Sequence, residues 1–146
     1  MLYSKNFSKT VYIKFIGSLT RQGKKKRSKK ILDTSFQIVS RKLNLPIDLI
    51  LVKLFLKLQC FLEIKKRKLG KNFHLVPFPI KGKRQNFLKI KWLLQSVKED
   101  TRKIPLWKKL SLEIINILLD KPSKTNEKKN AVLQDSLKNR SNIHFR

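Results

Sequence analysis

Three runs of basic residues carry the chemistry available to this chain. They are Lys24-Lys25-Lys26-Arg27 in "GKKKRSKK", Lys65 to Lys68 with Lys71 in "KKRKLGK", and Lys81, Lys83 and Arg84 in "IKGKRQ". An ammonium meets a phosphate as a point charge, and a guanidinium meets it with a planar fork of donors. Neither reads a base sequence. Both displace counterions from a polyanion, and that release supplies affinity that weakens with salt. No Asp or Glu occurs between Glu63 and Glu99, whereas a merely solvated face mixes both signs. Across 146 residues, 36 Lys and Arg face 9 Asp and Glu, a formal net charge of +27. A compact body so charged repels itself, and a polyanion relieves the repulsion. Nucleic acid is the partner this implies. Lys outnumbers Arg, and no recognition-helix motif or RNA-reading aromatic pair is present, so charge alone leaves RNA and DNA both open.

Other chemistries lack their residues. Cys60 is the only cysteine, which excludes an intrachain disulfide and a thiolate zinc site. A buried, apolar Cys60 in a reducing compartment is expected. His74 and His144 are far apart and have no matching cluster of acids, so no metal or cofactor is expected. "GKKKRS" begins like the end of a phosphate-cradling loop, but Ser18 occupies the place of the required first glycine. No nucleophile, base and orienting group converge, so neither an enzyme nor a small-molecule substrate is expected. Trp92 and Trp107 could stack on bases, but each is read as capping the core with its indole body.

The clusters need a folded support, and 40% hydrophobic residues can supply one. The expected fold class is mainly α: a short tail, residues 1–8, then one domain, residues 9–146, of five to six helices with a protruding β-hairpin. Val11, Phe15 and Leu19 recur at helical spacing, with Gly23 as a stop. The basic run 24–30 leads into a second helix bearing Ile31, Phe36, Val39 and Leu43 on one face. A third is expected from about Pro46 to about Leu62. Residues 63–80 change to a period of two around Gly70, giving a hairpin at about 62–80 with His74, Val76, Phe78 and Ile80 on one face. Pro77 and Pro79 confine that strand to an edge. Arms so rich in Lys cannot bury their tip, which should project.

From Arg84 to Lys98 the period is helical again. Phe87, Ile90, Leu94 and Val97 form the core stripe, and Arg84, Lys91, Gln95 and Lys98 lie beside one another on another face. A fifth helix fits residues 105–120. A sixth fits 127–140, anchored by Ala131 or Val132, Leu133 and Leu137. "LPIDLILVKLFLKLQCFLEI", residues 45–64, is the most apolar stretch. Lys53 and Lys57 fall on one face of it, which favours an amphipathic helix over membrane insertion. The first acid is Asp33. An acid-free, Lys-bearing start suits an organellar targeting peptide, but the stretch has little Arg and "VYIKFIGSL" reads as part of the fold. Heavy use of Lys, Asn, Ile and Phe suggests an AT-rich genome and an organelle-encoded gene, which needs no presequence.

Several short motifs, in common order, resemble one known family. "KFIGSLTRQGKKKRS", residues 14–28, is similar to the first helix and Gly-Lys-Lys turn of the bacterial-type small-subunit ribosomal protein seven family. "EIKKRKLGKNFHLVPFPIKGKRQNFLKIKWL", residues 63–93, is similar to its hairpin and following helix. Arg84, Leu88, Lys91 and Trp92 stand where the family has Arg, Leu, Arg and Trp. "LSLEI", residues 110–114, and "NRSNIHFR", residues 139–146, resemble two further family motifs. The chain departs from the family at Lys71 (Gly), His74 (Tyr) and Gln85 (Arg), and its basic N-terminal arm is expected to be short.

The resemblance implies a protein that binds small-subunit rRNA in the head and organises its folding, beside other small-subunit proteins of the head and platform. The rRNA-binding residues it implies are Lys24, Lys25, Lys65, Arg67, Lys68, Lys81, Lys83, Arg84 and Lys91, and the same basic clusters add Lys26, Arg27, Lys71 and Lys98 as expected contacts. Lys68, Lys71, Arg140, His144 and Arg146 would lie toward exit-site tRNA and mRNA. The divergence points to a mitochondrial ribosome rather than a plastid one. The alternatives from other classes are a DNA-compacting basic protein and a membrane-surface protein using residues 45–64.

Overall fold

A computed structural model describes residues 2–145, with side chains described from Phe7 onward. Six helices follow in the order α1 (Leu2–Leu19), α2 (Lys25–Leu43), α3 (Ile47–Lys57), α4 (Gly82–Glu99), α5 (Leu106–Leu118) and α6 (Lys124–Lys138), and the first five share one main apolar cluster. Strands β1 (Leu62–Leu69) and β2 (Asn72–Pro79) form an antiparallel hairpin between α3 and α4, and a 3-10 turn, Arg140–Phe145, follows α6. This is the expected helical bundle with a hairpin.

The stripes read from spacing bury as a set. Val11, Phe15 and Leu19 of α1 meet Leu32, Phe36 and Val39 of α2, Ile50 and Leu54 of α3, Ile90, Leu93 and Val97 of α4, and Leu110, Ile114 and Ile117 of α5. Phe15 and Phe36 cross edge to face, with ring centroids 6.2 Å apart. A second, smaller cluster of Cys60, Leu88 and Trp92 joins the hairpin base to α6 through Ile80, Val132 and Leu133. Cys60 is buried, and its thiol donates to the Leu62 carbonyl at 3.2 Å. Trp92 is thus a core side chain. Trp107 is half-buried, and its carbonyl accepts the Ser35 hydroxyl at 3.0 Å.

Several boundaries differ from the sequence expectations, each for a local reason. Residues 2–8 are helical rather than a tail. Phe7 carries the helix back onto Phe55, with ring centroids 6.1 Å apart. The basic run is the opening of α2 and not a lead-in to it, because Gln22 and Gly23 take positive φ (52 and 70) and complete the reversal before Lys25. Helix α3 stops at Lys57 instead of near Leu62. Leu58 is its C-cap, and residues 59–61 are drawn out to start β1. Phe87 is 44% exposed and stands outside the core stripe, while its neighbour Leu88 is buried in the second cluster. Of the expected α6 anchors, Val132 and Leu133 pack on the second cluster, while Leu137 is 70% exposed.

The hairpin pairs Leu62 with Pro79 through to Leu69 with Asn72, leaving Gly70-Lys71 as a two-residue turn. Gly70 has φ +60, which such turns require and which a side chain resists. Burial falls from half-buried at the base to fully exposed at the turn. The arm is braced partway along, in the turn-proximal half of β2, from the C-terminal side. The Asn142 amide donates to the Leu75 carbonyl at 3.0 Å, and Phe145 stacks at a tilt on His74, 5.0 Å between centroids.

One cation lies inside the body. Lys89 is 6% exposed, with its ammonium 5.5 Å from the Phe55 ring centroid, and it joins none of the four salt bridges formed among the described residues. Burial lowers its pKa. The unfolded chain therefore holds that proton more tightly, and stability rises as pH climbs toward the lysine range. Lys89→Met, which keeps the volume and removes the charge, is expected to melt higher than the parent at neutral pH, with the gap narrowing at alkaline pH. A lower melting temperature for the variant would mean that the contact with Phe55 outweighs the cost of burial.

Candidate nucleic-acid interface

Lysines in this fold do two different jobs, and helix polarity separates them. Unpaired carbonyls give a helix C-terminus partial negative charge, so cations belong there. Lys129 donates to the Lys57 carbonyl at the end of α3 (2.8 Å), and Lys57 donates to the Leu118 carbonyl at the end of α5 (2.7 Å) and to Asp120 (2.6 Å). Lys109 holds the Asp100 carbonyl just past α4 at 2.6 Å. These lysines are parts of the scaffold.

The N-termini of α2 and α4 have the opposite arrangement. Lys24 and Lys81 occupy the N-cap positions, neither cap makes a side-chain hydrogen bond, and neither first turn contains an acid. Lys25, Lys26 and Arg27 open α2, and Lys83 and Arg84 open α4; all are exposed. A charge of the wrong sign in a first turn costs about 0.3–1 kcal/mol at low salt. Helices α3 and α6 follow the usual rule, whereas α5, which opens on Pro105, also has no acid in its first turn. Asp48 lies in the first turn of α3, and α6 has a Ser123 cap, accepting from Asn126 N–H at 3.2 Å, followed by Glu127. An anion from outside would relieve both open ends through the dipole, the free N–H groups and the side chains.

The two ends are joined along α4. Arg84, Lys91 and Lys98 recur every seventh residue, share a face and are exposed. The line they form is about 21 Å long at 1.5 Å per residue. Lys98 comes near Lys24 and Arg27, with which it lines one cavity. At the other end lies the hairpin. Lys65 and Arg67 alternate with Lys66 and Lys68, so both faces of β1 are cationic, and Lys71 is in the turn. Lys65 and Arg67 lie over the Phe78 ring at 5.4 and 5.9 Å. Arg140 and His144 are exposed on the turn that braces β2, while Arg146 lies outside the described residues.

One of the expected contacts is also paired within the fold. Arg84 grips Glu63 of β1 with two bonds, Nη2 to Oε1 at 2.5 Å and Nε to Oε2 at 3.1 Å, and its guanidinium carbon lies 5.2 Å from the Phe87 ring. Glu63 is thereby ringed by Arg84, Lys65 and Lys91, and the Arg84 hydrogen bonds above all hold its pKa below the usual carboxylate value. This pair, bridging residues 21 apart in sequence, left no periodic signal; only the hairpin register brings Glu63 to the start of α4. Two cations still surround the one carboxylate, so the junction stays positive.

An acid-poor cationic line between two open helix ends, flanked by a charged hairpin, is the surface of a basic helical protein made to lie against a polyanion. The relatives carry the identification further. The family model described as Ribosomal protein S7p/S5e matches residues 1–140. The small ribosomal subunit protein uS7 of Carsonella ruddii (strain PV) is 32% identical over 98 residues, covering 67% of this chain and 63% of that one. The uS7 of Wigglesworthia glossinidia brevipalpis is 28% identical over 91% of this chain and 84% of its own. The uS7m of Reclinomonas americana is 26% identical over 96% and 87%. The chain belongs to the ribosomal protein S7 family, and it spans a little under two thirds of the Carsonella protein.

The lowered pKa of Glu63 fixes the sign of a pH effect. Its pairing with Arg84 contributes stability at neutral pH that is lost as pH falls through the depressed value. Glu63→Gln should melt lower than the parent at neutral pH, and the two curves should converge in acid, below about pH 4. Equal melting at neutral pH would show that the pair does not tie the hairpin to α4.

Proposed function

We propose that this chain is a non-catalytic structural protein of a small ribosomal subunit, where it binds rRNA of the head and helps to organise its folding. The observation that carries this reading is the exposed, acid-poor cationic line from the hairpin along α4 to the start of α2. Family membership and the relatives named as small ribosomal subunit proteins support it. Lys24 to Arg27, Lys81, Lys83, Lys91 and Lys98 hold phosphates of the head rRNA. Lys65, Arg67, Lys68 and Lys71 carry the contact out along the hairpin. Arg84 acts mainly by fixing the angle between hairpin and α4 through Glu63, and it presents its remaining donors outward.

The hairpin and the C-terminal turn act together. The ring contact between His74 and Phe145 supports placing Lys68, Lys71, Arg140 and His144 on one side of the molecule, toward exit-site tRNA and mRNA, with Arg146 beyond them. Other head and platform proteins are its neighbours. Among the described residues no helix is long and apolar enough to cross a membrane. A mitochondrial ribosome is the proposed setting, supported by the match with the Reclinomonas uS7m along nearly the whole chain.

Binding of a head rRNA transcript, measured over a range of salt concentrations, tests this reading. Lys83→Glu with Lys91→Glu leaves the Glu63–Arg84 pair in place. The double variant is expected to bind more weakly and to lower the log–log salt slope by about one per lost phosphate contact. An unchanged slope would remove these residues from the interface. Duplex DNA competing as well as the transcript at fixed salt would replace ribosomal RNA with general nucleic-acid compaction.

A further inference from the structure

A cavity of about 470 Å³ opens where the turn before α2 meets the C-terminal half of α4. That volume falls in the range of small-ligand sites, about 300–1,000 Å³. Its rim is cationic: Arg21, Lys24, Arg27 and Lys98 line it, and none of them belongs to any of the four salt bridges among the described residues. No carboxylate lines it. Its floor is apolar, made by Ile31, Leu94, Val97 and Leu106. The amide side chain of Gln22 also lines it.

An apolar floor inside a ring of unpaired cations specifies its ligand on two counts. The rim selects for negative charge, and a phosphate alone would leave the floor bare. The floor selects for a flat, weakly solvated body, which a phosphodiester or a duplex riding over the rim cannot offer. A nucleotide turned out of its stack has both parts, because single-stranded loops and bulges present base faces that duplexes hide. We infer that this cavity receives one unstacked RNA nucleotide, with its base on the floor of Ile31, Leu94, Val97 and Leu106 and its flanking phosphates on Arg21, Lys24, Arg27 and Lys98. The inference rests on the rRNA-binding reading and deepens it: the line along α4 holds a backbone, while the cavity at its end takes a base. Gln22, whose amide both donates and accepts, and the hydroxyl-bearing Ser28 line the cavity too and offer uncharged hydrogen bonds to a base edge.

The test separates the base from the phosphates. Leu106 is half-buried at the floor. Leu106→Trp fills the cavity and keeps every charge. With a head rRNA transcript, this variant should bind about tenfold more weakly, with an unchanged salt slope. Arg21→Gln with Lys98→Gln should instead lower the slope by about two. Parent-like affinity of a folded Leu106→Trp protein would overturn the cavity assignment, while salt-dependent binding of the same transcript would leave the rRNA-binding reading standing. A second measurement needs no substitution. The parent chain is photo-crosslinked to a transcript carrying 4-thiouridine, and the peptides are mapped. One nucleotide joined to peptides from both 19–31 and 94–106 supports the inference; crosslinks confined to the hairpin and the start of α4 would refute it.

Discussion

Nine carboxylates serve a body with thirty-six basic side chains, and their placement governs the rest of the structure. They are concentrated at joints. Asp33 accepts the Tyr12 hydroxyl between α2 and α1, and Glu63 holds Arg84 between hairpin and helix. Glu99 pairs with Lys128 across α4 and α6, and Glu113 accepts both the N–H and the hydroxyl of Thr125 where α6 begins. Asp120 meets Lys57 beside the end of α5, and Asp100 clasps Arg102 in the loop after α4, which pulls the Asp100 pKa down to about 2. Spent in this way, the acids fix the helices to one another. None is left for the first turn of α2 or the first turn of α4, and along α4 itself only Glu99 stands, in its last turn.

The lysines divide along the same lines. Those at the ends of α3 and α5 and just past α4 satisfy carbonyls and favour the folded chain in any solvent. Those at the starts of α2 and α4 oppose the helix dipole and one another, and the hairpin concentrates more of them. The apolar core must hold these charges together until a polyanion arrives. High ionic strength does part of the same work by screening, so salt stabilises the isolated chain at these ends while opposing the RNA contact proposed for them.

The apolar spacing told most of the fold. Val11, Phe15 and Leu19, and later Ile90, Leu94 and Val97, bury as their period requires, and Gly70 turns the hairpin where its neighbours demand. The misses share a cause: contacts made only when distant segments meet. Leu88 is buried where Phe87 is not, because a second cluster around Cys60 and Trp92 lies beside the main one. The helical start at residues 2–8 depends on Phe55, far along the chain. The cationic runs were legible as runs, and all of them described by the structure are exposed. Two things were not legible: that Arg84 is claimed by Glu63, and that Arg21 joins Lys98 around an apolar hollow. Neither pair has a local spacing to betray it.

The support of the hairpin sets an order of events. Asn142 and Phe145 hold β2, yet they follow all six helices in the chain. As the polypeptide leaves the ribosome that makes it, the helices through α5 and the Glu63–Arg84 tie at the hairpin base can form first. The outer half of the arm gains its own support only when residues 142–145 emerge, so the arm is completed after the body is built.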